Sequence, residues 1–60
     1  MSMVYNPEAD VIADIERLEL EGRDLRRRVD HVRTQDDRRA LNKLLTEVRD
    51  RIEFLRRSLP

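Results

Sequence analysis

Residues 29–45, VDHVRTQDDRRALNKLL, decide the fold, because two apolar repeats meet inside them and fall out of step. Before the junction, Val11, Ile15, Leu18, Leu25, Val29 and Val32 recur at alternating spacings of four and three, with Gly22 where the missing member should stand. That alternation is a heptad seam, in which Ile15, Gly22 and Val29 take the a positions and Val11, Leu18, Leu25 and Val32 take d. After the junction the pattern returns, with Leu45, Ile52 and Leu59 at a and Leu41, Val48 and Leu55 at d. Nine residues separate Val32 from Leu41 where a continuous seam needs seven. One straight helix cannot hold both repeats on a single stripe, so the chain has to break between them.

Neither Gly nor Pro marks the break, and other signals have to place it. Thr34 followed by Asp37 has the form of a capping box with Asp in place of the usual Glu, and Asp36 and Asp37 suit the positive end of a helix dipole. Arg26, Arg27, Arg28 and Arg33 load the end of the preceding helix, as the opposite pole prefers. Upstream, Asn6 and Pro7 read as an N-cap and a first helical residue. The expected organisation is a lead over residues 1–6, a helix over 7–33, a turn over 34–36 and a second helix over 37–59. A single kinked helix is the alternative.

Two matched arms, each about 37 Å long at 1.5 Å per residue, suit an antiparallel helical hairpin. Folding back about the turn stacks Val11 on Leu59, Ile15 on Leu55, Leu18 on Ile52, Gly22 on Val48, Leu25 on Leu45 and Val29 on Leu41. Only Val32 against Arg38 breaks the apolar rule. In that register Glu19 is expected to face Arg49, and Glu21 to face Arg51. Charge along the chain agrees: residues 7–24 hold seven acids and two bases, residues 40–60 three acids and five bases. Such exposed pairs choose orientation and register more than they stabilise.

A seam of two helices leaves much of each a and d side chain open to water. The economical remedy is self-association, two hairpins sharing one core as a four-helix bundle, with a homodimer the favoured state. The expected self-association core is Val11, Ile12, Ile15, Leu18, Gly22, Leu25, Val29, Leu41, Leu44, Leu45, Val48, Ile52 and Leu55. Ile12 and Leu44 enter it as flanking residues that widen the stripe. Leu20 and Phe54 point further out and form a candidate partner surface, although Phe54 also has the alternative of covering the lead together with Tyr5. Gly22, mid-helix, costs about 1 kcal/mol relative to Ala and either admits a close approach or is simply tolerated.

Composition narrows the function. The 60 residues hold no Cys, so neither disulfides nor thiolate metal sites are available, and 13 basic residues balance 13 acidic ones. No apolar run is long enough to span a bilayer or act as a signal peptide, which makes the cytoplasm the expected location. No carboxylate occupies a seam position, the serines stand at Ser2 and Ser58 without a His partner, and no phosphate-binding Gly loop is present. The chain is therefore read as non-enzymatic, with no cofactor and no metal. A weak metal site drawn from His31, Asp30, Asp36 and Asp37 competes with a solvated His at a helix end. Arg23, Arg26, Arg27, Arg28, Arg33, Arg38 and Arg39 form a candidate nucleic-acid surface, since guanidinium groups suit phosphate. Asp24, Asp30, Asp36 and Asp37 dilute its field.

In length and outline the hairpin resembles the plasmid repressor-of-primer proteins, RNA-binding helical hairpins that dimerise into four-helix bundles. The resemblance is architectural and carries no RNA-contacting residue onto this chain. The expected function is a small regulatory or adaptor module for protein interaction and oligomerisation, with an RNA- or DNA-binding regulator as the alternative.

Overall fold

A computed structural model describes residues 7–60; the lead over 1–6, with Asn6 and Tyr5, lies outside the described residues. Two helices, α1 (Pro7–His31) and α2 (Gln35–Arg57), pack side by side as a hairpin, and no strand occurs among the described residues. The break in phase is thus a real reversal of the chain and not a kink in one rod.

Pro7 opens α1, with Glu8 and Asp10 in the first turn and Arg28 and His31 in the last, as the dipole favours. The reversal occupies residues 32–34. Thr34 is the N-cap of α2: its backbone is extended (φ −109°, ψ 149°) and its Oγ1 accepts from the Asp37 N–H at 3.2 Å. The Arg38 N–H donates to the Thr34 carbonyl at 3.1 Å, the first full turn of the helix. A capping Thr makes the very next residue helical, so α2 starts at Gln35, two residues ahead of the expected 37, and α1 stops at His31 rather than 33. No described residue has a positive φ, which is why no Gly was needed to turn the chain.

At its far end α2 stops at Arg57 instead of 59. The Ser58 N–H bonds the Leu55 carbonyl (3.1 Å) and the Leu59 N–H the Arg56 carbonyl (3.2 Å), a tightened last turn. Pro60 disfavours helical backbone at Leu59, so the helix has to end before it.

The core lies in the seam and is small. Among the described residues Ile15, Leu25, Leu45 and Leu55 are the buried side chains, each 7–8% exposed. They are both members of two expected layers, Ile15 with Leu55 and Leu25 with Leu45, which supports the register. Between them Gly22 faces Val48: a Cβ built on the glycine would stand 3.6 Å from Val48 Cγ1 and 3.9 Å from Leu45 Cδ1. The described chain is one layer of two helices, only 11 Å thick across its Cα atoms.

Candidate functional site

With one layer, the hairpin has two broad faces, and the heptad positions sort residues between them. Antiparallel helices bring e beside e on one face and g beside g on the other. On the e face, Glu19, Arg23, Arg26, Arg49 and Ile52 surround Gly22 and Val48 in a shallow groove of about 250 Å³. On the g face, Leu18, Leu25, Leu44 and Val48 line another of about 250 Å³, rimmed by Glu21, Glu47 and Arg51. Both are open troughs, and the one on the e face lies over the gap left by the missing glycine side chain.

The faces differ in what lies over the seam. Arg56 Nη2 reaches Glu19 Oε2 at 3.6 Å across the e face, the one cross-helix ion pair among the described residues. The expected partner of Glu19 was Arg49, and the difference has a geometric cause. Side chains tilt towards the start of their own helix, so in antiparallel helices Glu19 and Arg49 lean apart while Glu19 and Arg56 lean together. Glu21 and Arg51 flank one trough but form no ion pair; the Arg51 guanidinium sits 5.3 Å from the Phe54 ring centroid instead. That cation–π contact joins adjacent g and c positions of α2, and the (i, i+3) spacing is the signal that could have revealed it. Among the described residues, Arg17–Asp14, Arg28–Asp24 and Arg57–Glu53 pair within single helices.

Of the expected self-association core, Ile15, Leu25, Leu45 and Leu55 are buried; Val11, Leu18, Gly22, Val29, Leu41, Val48 and Ile52 are half-buried. Ile12 and Leu44 stay 45% and 47% exposed. They flank the seam from opposite sides, Ile12 in the e row with Glu19 and Leu44 among the g-face residues. Leu20 and Phe54, 63% and 61% exposed, are separated in the same way. Leu20 borders Glu16, Glu19 and Arg23 on α1, whereas Phe54 borders Asp50, Glu53 and Arg57 on α2.

The arginine cluster is divided too. Arg23 and Arg26 rim the e-face groove, Arg28 is tied to Asp24 at 3.3 Å, and Arg33, Arg38 and Arg39 surround the turn. Arg27, at f, points away from the seam. Among the described residues no three acidic or His side chains gather in a metal-ligating group, and no helix is long and apolar enough to cross a membrane. No protein-family model matches this chain, and neither a curated protein nor a solved structure is significantly similar to it.

Proposed function

We propose that the chain is a small non-enzymatic interaction and oligomerisation module, regulatory or adaptor in character, whose seam is completed by another helical surface. One observation carries the reading: burial reaches only two layers of the seam, while Leu18, Val48 and Ile52 remain half open and Leu44 and Phe54 are 47% and 61% exposed. Removing apolar surface from water is the dominant favourable term in helix association, and a single layer of two helices leaves much of it unclaimed. Sedimentation equilibrium with circular dichroism at the same concentrations is the test. A mass of two or more chains, with helicity lost as the chain is diluted, supports the module; a folded monomer at micromolar concentration refutes it.

The alternative, nucleic-acid binding through the arginine-rich end, draws on Arg23, Arg26, Arg33, Arg38 and Arg39 having no ion-pair partner among the described residues. It predicts an electrophoretic shift with RNA or DNA that weakens steeply as salt is raised.

A further inference from the structure

Given self-association as proposed above, we infer that the second copy sits on the g face, with α2 lying antiparallel along α2 of its mate and the two turns at opposite ends. The e face is a poor candidate, since the Glu19–Arg56 pair spans its seam and Arg23, Arg26 and Arg49 rim its groove. On the g face Leu44 and Phe54 expose apolar surface beside half-buried Leu18 and Val48.

Orientation follows from the order of residues along α2. Leu44, Glu47, Arg51 and Phe54 read apolar, acidic, basic, apolar, spaced symmetrically about Arg49. A two-fold axis crossing the helix at that level sets Phe54 of one copy against Leu44 of the other and Arg51 against Glu47, each pair occurring twice. Every one of these matches is favourable, which is the self-complementarity an isologous interface requires. On α1 the same axis sets Asp14 against Arg28 and brings Glu21 against its own copy. With the turns together instead, α1 lies over α2 of the mate, and Phe54 and Leu44 fall against the charged row Asp14, Arg17, Asp24 and Arg28.

Sedimentation equilibrium on the full chain and four sets of variants tests the arrangement. Phe54→Ser or Leu44→Ser raises the dimer dissociation constant about a hundredfold, because each dimer loses the side chain twice. Ile12→Ser and Leu20→Ser, on the opposite side, leave it unchanged. Arg51→Glu weakens association about tenfold, and adding Glu47→Arg restores it, a rescue that general destabilisation would not give. Glu21→Gln tightens the dimer about threefold by removing like charges at the axis. A dimer indifferent to Leu44 and Phe54, or equally sensitive to Ile12, overturns the g-face assignment while leaving the module reading intact. Failure of the charge swap to rescue overturns the antiparallel register. A wild-type chain that is folded and monomeric overturns both readings.

Discussion

Two layers of the seam are buried and the two between them, Leu18 with Ile52 and Gly22 with Val48, are only half-buried, although all four occupy a and d positions. Ile15 with Leu55 and Leu25 with Leu45 are the buried pairs, whereas Gly22 offers Val48 no side chain and leaves it half exposed. The heptad therefore sets direction but not dryness: the missing glycine side chain opens the Gly22–Val48 layer, and Leu18 with Ile52 stays half open beside it. The e-face trough opens at Gly22, the waist of the seam, so the missing side chain shapes the surface as well as the core.

The sharpest way to break this contrast is to put charge into a dry layer. Leu25→Asp or Leu45→Asp leaves a carboxylate buried with no partner, and the cooperative thermal transition should vanish. A transition that survives near the wild-type midpoint means the layers do not hold the fold. Truncation gives a graded version. Leu45→Ala should cost about 2–5 kcal/mol, and Ile52→Ala, half open on the e face, about half as much, both measured by urea unfolding with the slope checked for constancy. Equal losses would show that the waist is as well packed as its neighbours.

Filling the waist sharpens the comparison from the other side. Gly22→Ala should stabilise by about 1 kcal/mol through helix propensity, since its new methyl meets Val48 and Leu45 at ordinary contact distances. No backbone there requires glycine, so a loss on substitution would contradict the packing. Beyond the layers, Thr34→Ala should cost about 1 kcal/mol by leaving the Asp37 N–H without its acceptor.

Much of this was legible from spacing alone. The seam, its register and the capping role of Thr34 follow from residue type and period, and the structure agrees at Gly22–Val48 and in the two buried pairs. The expected turn lies two residues late because a cap commits its next residue to the helix, so Thr34 starts α2 at Gln35 and not at Asp37. Ile12 and Leu44 look alike as apolar flanks in a one-dimensional pattern, and only placing e and g on opposite faces tells them apart. Glu19 was matched by axial level alone, and a heptad label carries no information about the tilt of the Cα–Cβ bond.

That tilt yields the smallest measurable effect. Arg56→Ala should cost about 0.2–1 kcal/mol, because it removes the ion pair that crosses the e face, and the cost should shrink with added salt. Arg49→Ala, the partner that axial level alone would choose, should not abolish that salt dependence. Arg57 pairs with Glu53 on the outer side of α2, and Arg57→Ala should shift melting by no more than about 0.5 kcal/mol, the value of an exposed (i, i+4) pair. A double-mutant cycle measures the difference directly: coupling between Glu19 and Arg56 that exceeds coupling between Glu19 and Arg49 is what leaning side chains require, and the reverse order would return the pairing to axial level.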